Sequence, residues 1–264
     1  MRLSSPFRSL GLKTVLCGVL ACLPVSVLAA GPADAWHASK QMVVVITPDW
    51  NATQGQLTRF ERDGTAGWRK VEASAPIAVG RNGSAWGIGL HPEQSGDPRK
   101  QEGDGRAPAG VFALGDAFGY AATLRTGLAY APMQASHWCI DVPASPLYNR
   151  IVDSRETGEA AVQGSTEPMR RDLHADGDVR YKEGFVILHN PGNVAGAGSC
   201  IFAHLWKAPG EPTAGCTAMA EPVMDRVIAW LDRRQQPVFV LLPQAEYERL
   251  ATEWALPQMQ GAAQ

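Results

Sequence analysis

No surplus of charge marks this chain: 24 Lys and Arg stand against 26 Asp and Glu, a formal balance of -2. That mild balance argues against nucleic acid or an anionic membrane surface as the main partner. Past the first thirty residues no apolar run is long enough to span a bilayer, so the chain reads as not transmembrane. No glycine cluster joins a strand to an amphipathic helix in the spacing of a nucleotide-binding loop. Histidines and cysteines never fall at zinc-ligand spacing, and there is no internal repeat, low-complexity tract or obvious linker. Helix-period patterns are scarce until residue 220, so sheets are expected to build the core.

What the chain does have starts with a leader. Arg2, Arg8 and Lys13 precede an apolar run from Val15 to Leu28, and Val27-Leu28-Ala29 stands before Ala30 and Gly31. This reads as a signal peptide over 1–29, removed from a periplasmic or otherwise exported protein. Acylation at Cys22 is the alternative, disfavoured because apolar sequence continues past it. Loss of three basic residues leaves 21 against 26 acidic, or -5, on about 235 residues, enough for one domain, placed at 36–256. Cys17 and Cys22 go with the leader, leaving Cys139, Cys200 and Cys216. In an oxidising compartment two can pair and one stays free; Cys139 with Cys200 is the natural pair, the alternative being two small buried residues that never bond.

The rest reads as mainly β. Val43–Ile46 is a short β-branched run, Leu57–Phe60 precedes an Asp63-Gly64 turn, and Arg81-Asn82-Gly83 is another turn. Residues 100–115, KQEGDGRAPAGVFALG, form a turn feeding an apolar strand, and Lys100, Glu102 and Arg106 are candidates to line a cleft. Residues 151–183 are polar and aperiodic, either a solvated loop or a lid. Phe185–Leu188, Ile201–Leu205 and Val238–Leu242 read as buried strands. One helix is expected over EPVMDRVIAWLDRR, with Pro222 at its start and Val223, Val227, Trp230 and Leu231 on one face. A short last helix carries Tyr247, Leu250 and Trp254.

The chemistry-bearing stretch is GSCIFAHLWKAPGEPTAGCTAM, 198–219, with Cys216 twelve residues after His204. Strand alternation puts Phe202, His204 and Trp206 on one face. A thiol of ordinary pKa is only a few per cent thiolate at neutral pH, so it needs a base. His204 as base and the Gly215 and Cys216 amides as oxyanion donors would complete an acyl-transfer site. A buried thiol and a core histidine would give the same spacing. His189, beside Asn190, is a competing base that reads as a polar strand end, while His37, His91, His137 and His174 read as surface groups.

Phe202-Ala203-His204 followed by Thr213-Ala214-Gly215-Cys216-Thr217, and then by an amphipathic helix, resembles the active-site end of the L,D-transpeptidase (YkuD-type) family, whose signature is a histidine upstream of S/T-x-G-C. Arg106-Ala107-Pro108-Ala109-Gly110-Val111-Phe112 is similar to that family's T-P-x-G-x-F strand entry. The resemblance implies a barrel-like or sandwich-like β fold with few helices, Cys216 as nucleophile, His204 as base, Gly215 in the oxyanion hole and Thr213 beside the site. It implies peptidoglycan stem peptides as substrate, passed through a Cys thioester to an amine or water in cell-wall biogenesis, and neither metal nor organic cofactor. Thr217 and Ala218 stand where members commonly carry an Arg two residues after the cysteine, with Arg106 or Lys100 as candidate replacements. A cell-wall binding module of the same fold without catalysis is the alternative. A papain-like peptidase is disfavoured, since there the cysteine precedes the histidine. Oligomeric state is not written in the chain.

Overall fold

The computed structural model describes Met1, residues 35–64 and residues 66–259; the expected leader, beyond Met1, and with it Cys17 and Cys22, lies outside the described residues. From residue 35 on these belong to one compact unit. Its strands in chain order are β1 (Gln41–Thr47), β2 (Gln54–Glu61), β3 (Arg69–Lys70), β4 (Ala75–Ala78), β5 (Ser84–Trp86), β6 (Ala107–Gly119) and β7 (Tyr130–Pro132). They continue with β8 (His137–Cys139), β9 (Ile151–Asp153), β10 (Glu167–Pro168), β11 (Glu183–Ile187), β12 (Phe202–Leu205), β13 (Thr217–Met219) and β14 (Val238–Pro243). The α-helices are α1 (Ser154–Thr157), α2 (Arg171–His174), α3 (Glu221–Trp230) and α4 (Gln244–Leu250).

Eight strands close on themselves in the order β1-β14-β6-β11-β12-β13-β4-β2 and back to β1, giving the barrel that a mainly β chain needs to remove its sheet edges. Eight strands enclose an interior that side chains can fill, and Phe112, Ile77, Val111, Met219 and Val240 are all buried. β1 does not alternate: Met42, Val43, Val44 and Val45 are all fully buried, because one face looks into the barrel and α4 packs across β1 and β14 on the other. Gly110 opens the core strand β6 with φ +137°, and a Cβ there would lie 1.9 Å from His91 Cε1, so a glycine is required for the ring to pack. His91 is therefore a core residue, against the surface reading; its Nδ1 accepts the Val111 N–H at 3.0 Å and its ring stands against Phe112 and Trp254.

The helix after the cysteine stops at Trp230, four residues short of the expected end. Gln41 from β1 donates to the Trp230 carbonyl at 2.7 Å and accepts from the Asp232 N–H at 2.9 Å, capping the last turn and leading the chain out. α3 packs against β11 and β12, behind the strand that carries His204.

Two features position the site. β12 and β13 are parallel neighbours, with Ala203 opposite Thr217 and His204 opposite Ala218, so the connection 206–216 brings the chain back beside the strand it just left. That register is why twelve residues suffice to set Cys216 next to Phe202. The second feature is a small sheet, β10-β8-β9, outside the barrel strand path. Its strands β9 and β10 lie in the aperiodic region, and its central strand β8 is bolted to the chain just before β12 by the Cys139–Cys200 disulfide.

Candidate active site

His204 projects from β12 with 4% exposure, and its Nδ1 lies 2.7 Å from the Leu205 carbonyl. A carbonyl only accepts, so Nδ1 carries the proton and Nε2 presents a lone pair. Burial pulls the imidazole down to about 4, against the raising effect of the Leu205 carbonyl, so the ring is neutral at ordinary pH. Tyr181 stands edge-on to it with ring centroids 5.1 Å apart.

Cys216 is the free cysteine among the described residues and is 7% exposed. Its sulfur accepts the Phe202 N–H at 3.4 Å and its thiol donates toward the Cys200 carbonyl at 3.5 Å. Burial pushes the thiol up to about 12, with the Glu167 charge adding to the rise. The resting pair is thus thiol and neutral imidazole, not an ion pair.

The preceding turn is held by one hydroxyl. Thr213 Oγ1 accepts the Gly215 N–H at 3.0 Å and donates to the Cys216 carbonyl at 2.7 Å, while the Thr213 N–H reaches the Val79 carbonyl at 2.9 Å. Gly215 (φ +156°) passes close to the Arg106 carbonyl, which would lie 3.0 Å from a Cβ. In this turn the Gly215 N–H is committed to Thr213 rather than free to meet an oxyanion.

His204 and Cys216 line one cavity of about 130 Å³, walled by Glu167, Arg171, Arg180 and Tyr181. All four walls come from the aperiodic region 151–183, which therefore covers the site instead of running free in solvent. Sequence reasoning missed these four; the paired Arg170-Arg171 and the lone aromatic Tyr181 in a polar stretch were the available signals. The Tyr181 hydroxyl donates to Glu167 Oε1 at 2.8 Å, Arg171 donates to the same oxygen at 3.0 Å, and Asp178 holds both Arg171 and Arg180. Arg171 and Arg180 thus bring positive charge to the wall of the cavity that Cys216 lines.

Arg106, Lys100 and Glu102 do not line this cavity. Arg106 donates to the Trp50 and Ser84 carbonyls, Lys100 is buried against Asp104 at 2.5 Å, and Glu102 takes the hydroxyls of Tyr148 and Ser199. Their charges fasten their own loop to the barrel, which corrects the reading of them as cleft residues. His189 is also elsewhere: its Nδ1 accepts the Ile88 N–H at 3.2 Å and its Nε2 meets the Ala197 carbonyl at 2.9 Å. A larger cavity of about 630 Å³ lies between the small sheet and the β6-β11-β12 face, lined by Cys200 and Phe202 but not by Cys216 or His204. Among the described residues no three His, Cys, Asp or Glu side chains gather to hold a metal.

No protein-family model matches the chain, and no curated protein sequence matches it.

Proposed function

We propose that this protein is an exported cysteine acyltransferase acting on peptidoglycan stem peptides, by L,D-transpeptidation or L,D-carboxypeptidase-type trimming, through a thioester on Cys216. The observation that supports it most is that a free thiol and a neutral imidazole with an open Nε2 line the same cavity. The scissile carbonyl enters beside the sulfur. As the C–S bond forms, the thiol proton passes to His204 Nε2, and the imidazolium then gives it to the leaving amine. The Cys216 amide, next to the sulfur, is the donor assigned to the oxyanion. Water or an amine then takes the acyl group. A cavity of about 130 Å³ is well below the 300 Å³ or more that encloses a long ligand, and suits the end of a peptide chain.

Mass spectrometry of tetrapeptide muropeptides incubated with the mature protein under mild reduction, beside Cys216→Ala, tests this. Loss of the terminal D-alanine by the wild type alone supports the reading, and the product mass names the acceptor. A folded protein with a free Cys216 that turns nothing over, while both forms bind sacculi equally, points to the non-catalytic wall-binding module instead.

A further inference from the structure

The thiol–imidazole chemistry above leaves one partly buried carboxylate of the cavity without a task. Glu167 lines the cavity with Cys216, and its side chain is 20% exposed. Oε1 accepts both the Tyr181 and Arg171 bonds, while Oε2 accepts none among the described residues. Its place is fixed from two sides. Glu167 pairs with Cys139 across β10 and β8, Cys139 is bonded to Cys200, and the Cys200 carbonyl takes the Cys216 thiol. Carboxylate and thiol are therefore tethered to the two ends of one disulfide.

For making the thioester this carboxylate is a handicap, since a negative charge beside the sulfur opposes thiolate formation. The second half-reaction has the opposite need. An amine acceptor arrives as an ammonium ion, which cannot attack until it loses a proton. Arg171 and Arg180 would repel it; Asp178, at 3.0 and 2.5 Å from them, offsets one of their two charges and Glu167, at 3.0 Å from Arg171, the other. Burial also lifts Glu167 above the usual carboxylate range and makes it a better proton acceptor.

Resting on the acyltransferase reading, we propose that Glu167 is the acceptor-side catalytic residue, binding the ammonium of a primary-amine acceptor at Oε2 and taking its first proton. The freed amine attacks the thioester carbonyl; the C–N bond forms, the second amine proton passes to His204 Nε2, and the C–S bond breaks. His204 returns that proton to the Cys216 sulfur, and Glu167 releases the first to solvent. The products are an amide and the original thiol, with no other reactant required.

The test partitions the acyl-enzyme formed from a tetrapeptide stem between water and one of two added nucleophiles at about pH 7. One is the side-chain amine of Nα-acetyl-lysine amide, a cation at that pH; the other is hydroxylamine, which is mostly neutral. Glu167→Gln is expected to lower the amine-to-water ratio at least ~10-fold. Acylation should not fall, since the charge that opposes the thiolate is removed, and the hydroxylamine-to-water ratio should stay within about twofold of wild type. Glu167→Asp, which keeps the charge, is expected to recover part of the amine transfer and serves if the Gln variant does not fold. An unchanged amine ratio, or equal loss with both nucleophiles, overturns the proposal. Absence of any acyl-enzyme on the wild type overturns the cysteine reading itself, and this proposal with it.

Discussion

His204 Nδ1 is tied at 2.7 Å to the carbonyl of its own neighbour, Leu205, where a catalytic triad would place a carboxylate. A neutral carbonyl orients the ring and fixes its tautomer but adds no negative charge to stabilise an imidazolium. This fits a pair that rests uncharged and moves its proton only when a carbonyl arrives.

The uncharged pair sets a pH profile. With the thiol pushed up to about 12, the rate of Cys216 alkylation by iodoacetamide should rise about tenfold per pH unit from 6 to 9 without levelling. A preformed thiolate–imidazolium pair would instead give a plateau from mildly acidic pH. Turnover of a stem peptide by His204→Gln should fall about 10²–10⁴-fold while alkylation at pH 9 changes little.

Thr213 holds the turn that carries Cys216 through two bonds made by one hydroxyl. Thr213→Val keeps the shape and removes both, so it should destabilise by about 1–3 kcal/mol and cut turnover. Thr213→Ser should retain both properties. Urea midpoints and turnover of the two variants, compared side by side, decide it; a Val variant as active as the Ser variant would remove the hydroxyl from the site.

Glu183, on β11 next to the His204 strand, is 6% exposed and its Oε1 has no partner among the described residues. Burial, and then the nearby Asp225 charge, raise its carboxyl to about 7. The folded state thus keeps a proton that the unfolded chain has given up above its ordinary value of 4.5. The stability this contributes is present at low pH and is lost as pH rises through about 7. Glu183→Gln cannot ionise, so its stability relative to wild type should rise by on the order of 1–2 kcal/mol from pH 5 to pH 8. His189 and His204, both pulled down to about 4 by burial, act with the opposite sign: their contribution is complete above 6.5 and is lost as pH falls toward 4. Denaturant titrations at the two pH values check the Glu183 sign; equal differences would mean that the carboxyl is not held protonated.

How far the chain could be read in advance differs by element. The Cys139–Cys200 pairing was the natural choice among three cysteines, while spacing alone left His204 and Cys216 as readily a core histidine and a buried thiol, and it was the resemblance that put them in one site; they line one cavity. β-branched runs located β1 and β14, although their ends were one to two residues longer. His91 was misread because its sequence neighbours are polar or turn residues, and only the missing side chain of Gly110 makes room for its ring. Glu167, Arg171, Arg180 and Tyr181 have no period to betray them. Their relation to the site depends on a three-stranded sheet and a disulfide, both formed between residues far apart in the chain. Lys100, Glu102 and Arg106 show the converse: a dense charge cluster that its own loop consumes.

The three cysteines also carry an order in time. Synthesis proceeds from the N-terminus, so Cys139 and Cys200 appear before Cys216, and among the three described cysteines the two that are bonded arrive first. An oxidant that meets the growing chain can close the structural bridge while the third thiol has not yet been made. Cys216 shares an apolar cluster with both partners, yet it enters that cluster after their bond can already exist. The order of emergence thus favours the Cys139–Cys200 pair over any bond to Cys216, and a circular permutant that presented Cys216 first would lose that advantage.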